Sequence, residues 1–176
     1  MTIVRVADLR LRRPYDKLCA MSDQVRVSFA LVQDSEGWPP VSAERMWATP
    51  TSQDNVVVLD NIPFFVRDVA CYDVVAVTED DEGVLWGGKT LKWSGNCTIR
   101  VIPFHDGPLQ GNRQAVLDAF APFGVDGEGA ASLALVALNV PADADLVAVK
   151  RLLREGEKDR RWTWEEACIG DAWADA

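Results

Sequence analysis

The sequence predicts an α+β fold, a mostly antiparallel β unit followed by a unit that alternates strands with helices. Two observations carry this. Before residue 110 the chain is built of short Val-rich runs of strand length separated by turn residues, with no useful amphipathic helical period. After His105 the apolar residues fall at helical spacing, and the turn signals sit between longer segments.

The predicted strands are residues 25–32, 45–49, 56–59, 73–78, 84–91 and 98–104, each rich in β-branched or aromatic side chains. Between them QDSEGWPP, TPTSQD, EDDEG and WSGN supply the Gly, Pro, Asn and Asp that turns require. This part reads as a small curled sheet or barrel. NRQAVLDAFAPF (112–123) then places Val116, Leu117 and Phe120 on one helical face, with Asn112 as N-cap and Gly124 as the stop. GVDGEG leads into SLALVALNV, a continuous apolar run that reads as a buried strand ended by Pro141. Asp143 or Asp145 can cap a second helix through Leu146, Val149, Leu152 and Leu153. RWTWEEACI follows as a short edge strand and final turn. The second half therefore runs strand, helix, short strand, strand, helix, strand, the split β-α-β (ferredoxin-like) plan. Residues 21–96 and 97–176 are expected to share a core, with 98–104 bridging them. Residues 1–20 stand apart as a basic extension, with Arg5, Arg10, Arg12, Arg13 and Lys17 against Asp8 and Asp16, and Met21 resembles a natural start.

Composition narrows the function classes. With 176 residues, 48% of them apolar, the chain can bury a core without disulfides. No run approaches the roughly 20 apolar residues of a membrane span, and no secretory leader is visible, so a soluble cytoplasmic protein is expected. Cys19, Cys71, Cys97 and Cys168 are scattered without metal-ligand spacing and are expected to be reduced and mostly buried. No metal and no cofactor is expected. A net charge of −9 disfavours nucleic acid, whose phosphates demand clustered cations, and suits a basic protein partner.

Residues 83–90, GVLWGGKT, match the spelling of a phosphate-binding loop through Gly83, Gly88, Lys89 and Thr90. Context rejects the match. Such a loop needs a helix behind it and small residues within it, whereas here TEDDE precedes it, Val84, Leu85 and Trp86 fill it, and strand-forming residues follow. The expectation is a hairpin turning at DDEG, with a bulge or bend at Gly87-Gly88. His105, the single histidine, falls in a turn sequence, and no nucleophile elbow exists in the chain, so no catalytic residue is assigned. Glu44, Asp60 and Asp73 flank apolar segments and, with Trp47, are the candidates for a carboxylate-lined ligand pocket. Asp60-Asn61 reads more simply as a turn whose side chains bond nearby amides. Seven tryptophans exceed what a small core accommodates, which makes Trp162, Trp164, Glu165 and Glu166 the candidate partner-binding surface.

The blocks ERMWATP (44–50), LDNIPFFVRDVACYDVV (59–75) and SGNCTIRV (94–101), closing with WTWEEA (162–167), resemble an uncharacterised bacterial family catalogued as domain of unknown function 4265. The resemblance spans residues 25–169 and implies one fold across them, but no activity. Similar proteins carry a histidine-serine pair where this chain has Asn96-Cys97, which removes the hydroxyl a catalytic role for that block would use. The leading expectation is a non-catalytic protein-binding module, an acidic immunity protein that blocks a basic toxin. The alternative is a small enzyme or ligand sensor using the carboxylate pocket.

Overall fold

The computed structural model describes residues 24–130 and 132–176. The expectations for residues 1–20, for a start at Met21 and for Cys19 lie outside the described residues. The fold is mixed α+β, with two mostly antiparallel sheets of five and four strands.

The first five strands, β1 (Val25–Ala30), β2 (Ala43–Pro50), β3 (Val56–Leu59), β4 (Val74–Glu79) and β5 (Leu85–Lys92), form a closed barrel in sequence order. Each consecutive pair is antiparallel. An odd number of alternating strands leaves the first and last running the same way, so the barrel closes on a parallel seam pairing Val27 with Leu85 and Ser28 with Trp86. Side chains alternate between faces with period two. Along β2 this buries Glu44, Met46 and Ala48 while exposing Ala43 and Arg45. Val27, Phe29, Met46, Leu59, Val75 and Val77 fill the interior.

Gly87 completes the seam. A Cβ built there would lie 2.3 Å from Phe29 Cε1, so the Phe29 ring occupies the space a side chain would need. Gly87→Ala is therefore expected to destabilise by about 1–3 kcal/mol through overpacking. Phe29→Leu in the same chain should recover part of the loss, and strict additivity of the two changes in urea denaturation would refute the contact's role. The β4–β5 turn is built by Asp80, whose carboxylate accepts from the amides of Glu82 (3.0 Å) and Val84 (2.9 Å) and from the indole of Trp86 (2.7 Å). Gly83 takes a left-handed φ of 78° within it. Gly88, Lys89 and Thr90 lie in β5, with register shifts against β4 between Val75 and Val77, so a strand follows these glycines.

The second sheet has the order β7-β8-β6-β9, from β6 (Cys97–Pro103), β7 (Asp126–Gly129), β8 (Val136–Val140) and β9 (Trp162–Cys168), all neighbours antiparallel. α1 (Arg113–Phe120) and α2 (Leu146–Lys158) contribute to a core with Ile99, Val101, Leu138 and Trp162. Asn112 caps α1 by accepting from the Ala115 amide at 3.2 Å. Of the two candidate caps for α2, Asp145 accepts from the Ala148 amide at 3.0 Å. Five of the six strands expected before residue 110 shift at their ends by one or two residues, and three further differences stand out in the second half. α1 ends at Phe120 and tightens into a 3-10 turn over Ala121–Phe123, because Pro122 has no amide to continue the helical ladder. The apolar run 132–140 is strand only from Val136; Leu135 is buried against Phe64 and Phe65 of the barrel's long loop, so its burial is tertiary and unrelated to the ladder. β9 is a full seven-residue edge strand, followed by the short α3 (Asp171–Ala174). No helix among the described residues is long and apolar enough to cross a membrane.

Candidate functional site

The inward-facing register of β2 puts a carboxylate where an apolar side chain is expected. Glu44 sits at the end of the barrel over which residues 60–73 fold, and it is 9% exposed. Its Oε1 accepts from the amide of Phe64 at 2.6 Å, and its Oε2 from those of Phe65 and Val66 at 2.8 and 2.9 Å. Three consecutive amides without secondary-structure partners thus converge on one anion, the only side-chain type able to accept them all at once in so small a space.

Asp73 plays a parallel part at the other end of the same segment. Fully buried, it accepts from the amide of Ala70 at 3.0 Å through Oδ2 and from that of Ser94 at 2.8 Å through Oδ1. Asn61 accepts from the Trp47 amide at 2.7 Å, a partner fourteen residues away, so its oxygen ties the loop to β2, while its nitrogen donates locally to the Ile62 carbonyl at 3.4 Å. Asp60 accepts from the side chain of Gln24. The ring of Trp47 carries the Arg26 guanidinium at 3.6 Å. Of the four pocket candidates, Asp60 and Asp73 therefore end this segment and Glu44 and Trp47 lie on β2 beside it, each committed to a different partner.

The segment also meets the second sheet. Arg100, 5% exposed on the face of β6 turned away from the helices, donates to the Val66 carbonyl (2.7 Å) and to Glu165 (2.7 Å). Arg67 holds the other oxygen of Glu165 at 2.8 Å. Thr98 donates to the Val69 carbonyl at 3.3 Å. Asn96 donates to Asn139 at 3.0 Å, and Asn139 to Asp126 at 2.9 Å. Sequence reasoning missed this polar layer of Arg100, Asn96 and Asn139. The available signal was Arg100 itself, a cation inside the run TIRVIP where alternation turns every other side chain toward cover.

The partner candidates on β9 divide differently. Trp162 is corrected to a core residue: it is 0% exposed, its ring lies 5.5 Å from Phe120, and its indole donates to the Leu153 carbonyl at 3.1 Å. The helices cover that face of the sheet and leave it no free surface. Trp164 is half-buried against the same core, and its indole N–H has no acceptor. Glu166 accepts from the Trp173 indole at 2.7 Å. His105 is exposed in a turn.

Cys71, Cys97 and Cys168 are buried. Burial pushes the Cys168 thiol from 9.0 up to about 12, helped by the nearby Asp73 carboxylate, and burial likewise raises Cys97. A thiol held neutral by the fold contributes stability below its unfolded pKa and loses it as pH rises toward the folded one, here between 9.0 and about 12. Both thiols should react with a disulfide reagent only slowly in native buffer and promptly in denaturant. Rapid native reaction at Cys168 would contradict its placement. Among the described residues no group of three or more His, Cys, Asp and Glu side chains could hold a metal ion.

Comparison with known proteins gives a family and a fold. The family model described as "Domain of unknown function (DUF4265)" matches residues 44–164. A crystal structure of a hypothetical protein from Neisseria gonorrhoeae is similar at a TM-score of 0.64 and 20% identity, over 84% of this chain and 96% of that one. At that identity the likeness is one of fold. No curated protein matches the chain.

Proposed function

From the premise that this chain belongs to the DUF4265 family, we propose that it is a non-catalytic protein-binding module, an acidic immunity protein or inhibitor whose partner is a basic protein. One observation carries the reading. The carboxylates best placed for chemistry, Glu44 and Asp73, are consumed by backbone amides, while large apolar side chains stay exposed where barrel and sheet meet. Trp93 is 42% exposed and its ring packs close against Gly170, where a Cβ would fall 2.0 Å from it, with exposed Ile169 adjacent. Exposed Tyr72 precedes Asp73, whose carboxylate holds the amide of Ser94 next to Trp93. Rigid aromatic side chains of this kind anchor protein interfaces, and the net charge of −9 favours steering of a cationic partner.

The order of the second sheet, its antiparallel neighbours and the two helices in one core support the reading of that unit as a split β-α-β (ferredoxin-like) unit. The free, buried thiols of Cys97 and Cys168 support a reducing, cytoplasmic setting. The test is affinity capture with the intact chain, followed by titration of the recovered protein. Binding should weaken with salt and fall about tenfold or more for Trp93→Ala. Turnover of a metabolite by the purified chain, with no partner sensitive to Trp93, would overturn the reading.

A further inference from the structure

The end of the barrel away from segment 60–73 is differently built. There β1 begins, the loop after β2 turns at residues 51–55, and the loop after β4 turns at 80–84. The parallel seam pairs Val27 with Leu85 and Ser28 with Trp86, so it starts two residues into β1. A depression opens at this place, with Val25, Pro50, Val56, Val57, Val77 and Leu85 among its lining residues. Asp54 is among its lining residues; Glu79 pairs with the lining Leu85, and Asp81 and Glu82 follow on the adjoining turn, all four exposed. Asp80 is committed to the turn itself. Residues 50–57 and 76–88 contain no Lys or Arg. The nearest cation along β1, Arg26, is stacked on Trp47.

Apolar lining with carboxylates beside it selects an occupant of complementary character. We infer that this depression is the docking site for a basic segment of a partner protein, which places an apolar side chain between Val25 and Leu85 and sets its cations against Asp54, Glu79, Asp81 and Glu82. The inference rests on the protein-binding reading and names a second contact surface for it. Apolar insertion supplies the affinity, because exposed carboxylates alone attract any cation with little specificity.

The experiment uses the full chain and a short synthetic peptide alternating leucine with lysine, beside an all-lysine peptide of equal length. Trp86, bonded to Asp80 of the adjoining turn, reports binding by fluorescence, and hydrogen exchange of residues 51–55 and 80–86 maps it. The mixed peptide should bind and protect both turns, and Asp81→Lys with Glu82→Lys should weaken it about tenfold or more. Glu36→Lys with Asp118→Lys, the same charge change made on the opposite loop and on α1, should weaken it far less. Equal loss in the two double variants, or equal binding of the all-lysine peptide, overturns the proposal. So does protection of the turns without peptide, whether it grows with protein concentration, which identifies a second copy as occupant, or disappears when the five cations of residues 1–20 become glutamine. A captured partner that responds to Trp93→Ala but ignores Asp81→Lys with Glu82→Lys removes this docking site and leaves the binding-module reading standing.

Discussion

Glu44→Ala will destabilise the protein by about 3 kcal/mol or more, since buried amides left without acceptors each forfeit about 1–3 kcal/mol. Three such amides, those of Phe64, Phe65 and Val66, lose their common partner at once. Water reaching the cavity would recover some of this. Glu44→Gln should fall between wild type and alanine, because its one carbonyl oxygen cannot serve three donors that now share two carboxylate oxygens. The damage should spread across the molecule. Phe64 and Phe65 pack with Leu135, just ahead of β8, and with Ala137 of β8, so releasing the loop loosens the contact between barrel and sheet. Urea denaturation checks the magnitude, and hydrogen exchange at residues 64–66 checks the place. A loss below about 1 kcal/mol would mean the amides find other acceptors and that Glu44 is free for another role.

The second large effect lies at Trp162. Trp162→Ala should destabilise by about 3–5 kcal/mol, through lost burial and the cavity left among α2, β9 and Phe120. Gly156 is its counterpart on α2: a Cβ there would lie 2.1 Å from the indole ring. Helix propensity alone would make Gly156→Ala stabilising by about 1 kcal/mol. The contact reverses that sign in the wild-type chain. In the Trp162→Ala background the obstruction is gone, and Gly156→Ala should become neutral or stabilising. This sign change, read from thermal or urea unfolding of the four chains of a double-mutant cycle, separates packing from propensity. Additive effects would refute the direct contact.

Local pattern made much of the architecture legible. Six strand-length runs rich in β-branched or aromatic residues and two capped helical stretches stood out because strand and helix periods depend on residues a few positions apart. The Gly83–Thr90 region could be read as hairpin from its neighbours, since a phosphate loop requires a helix and its sequence context offers strand formers. The failures share one cause. Glu44 reads as a pocket acid because a charged residue beside apolar runs has no visible partner in sequence; its partners are amides twenty and more residues away. Trp162 and Trp164 read as a surface pair because they alternate with Thr163, yet period two says only that they share a face, and the packing of α1 and α2 decides that this face is inside.

The sequence by itself determined the element order, the switch from β to mixed α/β after His105, the acidic character and the blocks that identify the family. Only the tertiary structure decided that the first five strands close on a parallel seam, that residues 60–73 fasten the barrel to the second sheet, and which carboxylates are spent on backbone amides. Secondary-structure preference is set by neighbouring residues, whereas closing a barrel or finding an acceptor for a buried amide is settled between segments far apart in the chain, by geometry that no local pattern contains.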